Sequence, residues 1–240
     1  MRIVVARNSK ELGDEAARLT AEALMTAVRT KGWARMAMTT GASQLEAIAA
    51  LSKQNLPWHQ IELFQVCERV GLDDDDRGSC RKALKDRFAK RIPLAKVHCM
   101  DGTEESVKRI SREVSRAPID VLMIGMGEQG QVGFNSAPAD LEADAPYILT
   151  EAADQVTMTL GQMMCASRVI VCAPYAIHAE NVYEVMTHRL TPMLPATVLK
   201  LHRNIDWMLD RESAARIGVE LTARCNPELE EYKVFEGPTE

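Results

Sequence analysis

Short apolar runs rich in Val, Ile, Leu and Met alternate along the chain with longer stretches whose apolar residues recur every three or four positions. Runs of the first kind suit strands buried on both faces, and stretches of the second kind suit helices laid across them. Strands are predicted at Arg2–Ala6, Ala34–Thr39, Ile61–Cys67, Val97–Met100, Asp120–Gly125, Gln155–Leu160, Arg168–Ala173, Thr197–Leu201 and Ile205–Leu209. The clearest helix starts at Ser9 as its cap, keeps Leu12, Ala16, Leu19, Ala23 and Ala27 on one face, and stops near Gly32. Further helices are predicted over Ser43–Gln54, Arg77–Lys90, Thr103–Ser115, Tyr175–Thr187 and Arg211–Ile217. The alternation defines the fold class as α/β: a Rossmann-like three-layer domain, with a mostly parallel twisted sheet and helices on both faces.

No repeat or low-complexity linker divides the 240 residues, so residues 1–225 read as a single domain. Residues 226–240 form an acidic, proline-containing tail, either loosely attached or packed on a neighbouring subunit of a homo-oligomer. Hydrophobic residues at 46% and charged residues at 26% are ordinary for a folded chain. The net charge of -5, with no Lys/Arg run interleaved with aromatics, argues against nucleic acid and for a small-molecule ligand. No window is apolar enough for a membrane span, and the polar turn after Arg2–Ala6 does not suit a leader. Six cysteines lie scattered without metal-site spacing, which suggests reduced thiols in a cytoplasmic protein with no metal and no cofactor.

Three segments could carry chemistry. Thr39-Thr40-Gly41-Ala42-Ser43-Gln44 follows a strand and opens a helix, where free amides, the helix dipole and the Ser43 hydroxyl could cradle an anion. The same letters also suit an ordinary turn capped by Ser43. Gly125-Met126-Gly127-Glu128-Gln129-Gly130 fits the dinucleotide fingerprint as written, yet Gln131 to Pro138 is a poor opening for the helix that fingerprint requires. Phe64 to Leu72 runs from a strand into a loop, which sets Cys67, Glu68 and Arg69 at the ligand-facing end of a parallel sheet. A free cysteine there is also commonly a small buried hydrophobe, and the acidic run Asp73–Asp76 reads as a solvated loop.

In this order and spacing the three segments resemble the superfamily of glucosamine-6-phosphate deaminase/isomerase and 6-phosphogluconolactonase, and Gln155–Leu160 and Leu194–Leu199 extend the likeness over nearly the whole chain. The resemblance implies a phosphorylated sugar as ligand, bound by Thr40, Gly41, Ala42, Ser43, Gln44, Arg69, Gly127, Gly130, Asn135 and His178. It places Cys67, Glu68, Gln129 and Gln131 in the catalytic region. There the chain departs from the family: Cys67 stands for an aspartate, Gln129 and Gln131 for an Asp and a His, Ser136 for a carboxylate, and His178 for a Lys or Arg. The segment Pro138 to Gln155 is also of lactonase rather than deaminase length. Glutamine orients hydroxyls but takes no proton near neutral pH, and each missing acid or base typically costs about 10² to 10⁴ in rate. The expected function is a catalytically impaired sugar-phosphate binder acting as sensor, regulator or partner subunit. The alternative is an active isomerase, deaminase or lactonase using Cys67, Glu68 or His178 in rearranged roles.

Overall fold

The computed structural model describes residues 1–150, 152 and 154–236. In chain order the strands are β1 (Arg2–Ala6), β2 (Ala34–Met38), β3 (Ile61–Gln65), β4 (Cys67–Arg69), β5 (Lys96–His98), β6 (Val121–Gly125), β7 (Tyr147–Leu149), β8 (Gln155–Met158), β9 (Val169–Ala173), β10 (Ile205–Asp210) and β11 (Glu231–Val234). The helices are α1 (Ser9–Lys31), α2 (Leu45–Leu51), α3 (Cys80–Arg87), α4 (Glu104–Val114), α5 (Leu160–Met164), α6 (Ala179–Thr187) and α7 (Val219–Cys225). Eight strands build one sheet in the order β11-β1-β10-β9-β6-β2-β3-β5, and every pairing in it is parallel. A small antiparallel sheet, β4-β8-β7, stands beside it.

Successive side chains of a strand point to opposite faces, so a sheet covered on both sides needs apolar residues at every position. In β1, Ile3 and Val5 enter a core completed by Ile110 and Val114 of α4, Leu160 and Met163 of α5, and Val182, Val185 and Met186 of α6. Val4 and Ala6 enter the opposite core with Leu12, Ala16 and Leu24 of α1, Ile48 and Leu51 of α2, and Leu84 of α3. Each large side chain buried this way contributes about 1.5–3 kcal/mol. No helix among the described residues is long and apolar enough to cross a membrane.

Several expectations need correction. The cap of α1 is Asn8, whose side chain accepts the Glu11 N–H at 2.9 Å, with Ser9 the first helical residue. The segment Ile61–Cys67 is not one strand: it breaks at Val66, where the Gln65 amide donates to the Cys67 carbonyl at 2.9 Å and accepts the Met100 N–H at 3.0 Å. Thr197–Leu201 lies in a 3₁₀ helix, Pro195–Leu201, with Ala196 and Leu199 buried three residues apart as that helix requires. Arg211–Ile217 forms consecutive turns rather than a helix, anchored by Asp210, which accepts the Ser213 N–H at 2.8 Å and, through its carbonyl, the Ala214 N–H at 2.9 Å. Within the described residues the tail is not loose: β11 pairs along β1 from Arg2↔Glu231 to Val5↔Val234.

The connectivity determines where a ligand fits. After β2 the chain proceeds outward to β3 and β5, and after β6 it proceeds the other way, to β9 and β10. The connections therefore diverge between β2 and β6, and a crevice opens at the carboxyl ends of these neighbours, as in other doubly wound sheets.

Candidate functional site

A cavity of about 570 Å³ occupies that crevice. One wall is the loop after β2, Thr39 to Gln44, which continues through a 3₁₀ turn (Ala42–Gln44) into α2. The buried Gln44 anchors this wall: its amide donates to the Met123 carbonyl of β6 at 3.0 Å and accepts the Thr39 hydroxyl, which in turn accepts the Gly125 N–H at 3.2 Å. Gly125 lets Ser43 approach closely, because a Cβ there would stand 2.1 Å from the Ser43 hydroxyl oxygen and would displace it. Gly41 has an ordinary extended backbone (φ -66°), and a Cβ there would meet no protein atom closer than 4.0 Å, so its role is to leave the mouth open. The first amides of a helical segment have no acceptor within it, which is the basis of anion binding at this kind of turn.

The second wall follows β6. Gly127 accepts the Gly130 N–H through its carbonyl at 3.0 Å and donates its own N–H to the Gln131 carbonyl at 2.9 Å, while the Gln131 side chain accepts the Gln129 N–H at 2.9 Å. These are tight turns with no helix after them, so the dinucleotide fingerprint lacks its required context. Both glutamines line the cavity.

The third wall joins β4 to the start of α3 through a single carboxylate. Glu68 is 1% exposed. One of its oxygens accepts the Arg69 and Cys80 N–H groups, both at 2.8 Å, and the other accepts the Arg81 N–H at 2.7 Å and the Ser79 hydroxyl and Gln65 amide at 3.0 Å. The carboxylate thus satisfies the N-terminal amides of α3 and favours its dipole, which leaves it no lone pair for a substrate. Beside it the Cys67 thiol donates to the Cys80 sulfur at 4.0 Å. That bond and burial hold the Cys67 thiol well above its ordinary range. The same bond, aided by Arg69 and Arg87, draws Cys80 below its usual value despite burial.

Cationic groups gather on this side. Arg69 donates to the Gly78 carbonyl at 2.8 Å, Arg87 reaches across to the Thr40 carbonyl, and Arg77 lines the rim. At the far end His178 closes the 3₁₀ turn Ala176–His178 ahead of α6, only 5% exposed and with its Nδ1 unpartnered. Burial pushes its imidazole below the usual value, opposed by Glu128 and Asp210. The turn is entered through Tyr175, whose left-handed φ of 74° is fixed by an N–H donated to Asp210 at 2.9 Å.

Of the residues singled out in the sequence, Thr40, Gly41, Ala42, Ser43, Gln44, Cys67, Arg69, Gly127, Gln129, Gln131 and His178 line this one cavity. Three do not. Glu68 is enclosed behind Cys67, Gly130 packs under Leu194, and the buried Asn135 donates to the Val132 and Met158 carbonyls at 2.8 and 2.9 Å, tying the second wall to β8. Sequence reasoning missed Arg77, Ser79, Cys80 and Arg87, which also line the cavity. Cys80, Ala83 and Arg87, at i, i+3 and i+7, share one face of α3. The Asp73–Asp76 run is an exposed loop, where Asp74 pairs with Arg81 at 2.5 Å.

The model of a family described as glucosamine-6-phosphate isomerases/6-phosphogluconolactonase matches residues 7–207. The glucosamine-6-phosphate deaminase of Bacillus cereus (strain G9842) is 27% identical over 234 residues, covering 89% of this chain and 88% of its own. Among solved structures, a monomeric glucosamine-6-phosphate deaminase superimposes with a TM-score of 0.81 at 22% identity, over 90% of this chain and 100% of its own. The 6-phosphogluconolactonase of Thermotoga maritima gives 0.76 at 18% identity, over 88% of this chain and 100% of its own. With the family match covering most of the chain, both cleft loops included, this chain belongs to the glucosamine-6-phosphate isomerase/6-phosphogluconolactonase family.

Proposed function

We propose that the protein binds a phosphorylated sugar in this cleft and is impaired in the chemistry of its relatives, acting as a sensor, a regulator or a partner subunit. The phosphate would sit on the Gly41–Ser43 amides with the Ser43 hydroxyl and His178, and the sugar would lie between Cys67–Arg69 and Gly127–Gln131. One observation carries the reading. In a chain of net charge -5, Arg69, Arg77 and Arg87 line a cleft whose single acidic lining residue among those described is Glu128. That is the charge balance an anionic ligand needs, since a cleft of one sign concentrates ligands of the other.

The impairment rests on what occupies the reacting region. Aldose–ketose isomerisation needs a group that takes a proton from carbon, and lactone hydrolysis needs one that takes a proton from water. Gln129 and Gln131 cannot do this, the lone pairs of Glu68 are committed to α3, and the proton on Cys67 is held by burial and by Cys80. Since relatives act on glucosamine 6-phosphate, hexosamine and hexose 6-phosphates are the first ligands to test.

A thermal-shift titration tests binding directly, because a ligand that binds only the folded state raises the melting temperature. A saturable shift with a hexose or hexosamine 6-phosphate, and none with the unphosphorylated sugar, is expected. No shift with any sugar phosphate at millimolar concentration would sink the binding reading. Turnover of hexosamine phosphates, aldose phosphates or phosphogluconolactone by purified protein, abolished by Cys67→Ala, would replace impairment with rearranged catalysis.

A further inference from the structure

Cys67 and Cys80 come from different elements, the short strand β4 and the first turn of α3, yet their sulfurs face each other at 4.0 Å on the cleft surface. The surroundings of the two differ. Cys67 is almost fully buried behind its partner, whereas Cys80 is only partly buried and lies at the N-terminus of a helix of eight residues. There the helix dipole favours negative charge, and the guanidinium groups of Arg69 and Arg87 line the same cleft. The other four cysteines are free thiols without such a neighbour: Cys165 is exposed, Cys99 and Cys225 are half-buried, and Cys172 is enclosed in the core, where burial pushes it up to about 12.

We propose that Cys67 and Cys80 are an oxidisable dithiol built into the cleft wall, a modification site for peroxides that closes to an intramolecular disulfide. Cys80, as thiolate, attacks one peroxide oxygen; the S–O bond forms, the O–O bond breaks, and hydroxide leaves and takes a proton as water. The Cys80 sulfenic acid is then attacked by the Cys67 sulfur. The S–S bond forms, the S–O bond breaks, and the departing hydroxide takes the Cys67 proton as a second water. Two thiols lose two electrons and one hydrogen peroxide becomes two waters, so the step balances with the peroxide as sole oxidant. The sulfurs must approach from 4.0 Å to the roughly 2.05 Å of a disulfide. Closure ties β4 to α3 and removes both thiols from the surface that faces the ligand.

Trypsin separates the two sites cleanly, since cleavage at Lys53, Arg69, Arg77 and Arg81 places Cys67 in residues 54–69 and Cys80 in residues 78–81. The folded protein is treated with limiting hydrogen peroxide, alkylated, digested and weighed with and without prior reduction. The expected result is a 54–69/78–81 linked species that forms while Cys165 remains alkylatable and that dithiothreitol reverses. In Cys67→Ser, Cys80 should instead be trapped as a sulfenic acid by dimedone. Oxidation of Cys165 ahead of the pair, a link from Cys80 to any other cysteine, or full alkylation of both thiols after peroxide would each overturn the proposal. The readout is a covalent mass, so it stands or falls separately from sugar-phosphate binding.

Discussion

Glu68 lay in the segment the sequence marked as catalytic, and its type and position were legible there. The number of its partners was not, because nothing in a linear sequence indicates that one carboxylate accepts five donors, four of them from residues 69 to 81. The arrangement makes a sharp prediction. Glu68→Gln is nearly isosteric but sets an NH₂ against donors, and leaving buried groups unpaired should cost about 3 kcal/mol, read as a lower urea midpoint at unchanged slope. Tyr175 is the opposite case. A β-carbon at φ 74° is strained, typically by about 1–3 kcal/mol, and glycine relieves this at an entropic cost of about 0.5–1 kcal/mol. Tyr175→Gly should therefore stabilise the protein by about 1 kcal/mol, and a destabilised variant would mean that the ring's packing outweighs the strain.

Among the elements, strands buried on both faces were the legible part, since continuous apolar runs such as Val121–Ile124 and Val169–Ala173 have few alternatives once a parallel sheet is assumed. What failed was short or edge structure. Three-residue strands such as β7 carry too little pattern, and Pro195–Leu201 has β-favouring residues whose tertiary hydrogen bonds, the Ala196 N–H to the Gly130 carbonyl at 3.0 Å among them, select a 3₁₀ turn. The two loops of the cleft were found by composition, but their mutual contact was invisible. If Ser43 donates to the ligand from its place against Gly125, then Gly125→Ala, which must push that hydroxyl aside, should weaken sugar-phosphate binding as much as Ser43→Ala does. Each should cost up to about tenfold, and the double variant no more than either single one. Additive losses in a titration would show that the two loops act independently.

At the scale of the whole molecule, two buried imidazoles give stability and binding opposite dependences on pH. His178 and His98 are both held below their ordinary values by burial, so the folded chain prefers them neutral. Their contribution is present above the unfolded value near about 6.5 and is lost as pH falls through the lower folded values. Urea midpoints should decline from pH 7.5 to 5.5, less steeply in His178→Gln. Phosphate affinity should rise over the same interval because a protonated His178 attracts an anion, and this rise should vanish in His178→Gln. Truncation after Glu230 removes the ladder between β11 and β1 and the Phe235 N–H bond to Val5 at 2.9 Å. At about 1 kcal/mol per bond the loss is several kcal/mol, and the bared β1 edge should promote self-association visible by light scattering.

The pairing of β1 also bears on how the molecule is assembled. Made before the other strands of its sheet, β1 is held by β10 on one side, in register Arg2↔Asp206, and by β11 on the other. Neither partner exists until most of the chain has been made, so β1 spends nearly all of synthesis with both edges open. Pairings of such long sequence separation are slow to form and expose nascent strands to aggregation. The cleft between β2 and β6 can gather early, from residues 34 to 125, whereas the sheet that holds it rigid is completed last. A nascent chain would thus carry its ligand loops before it has a finished framework to support them.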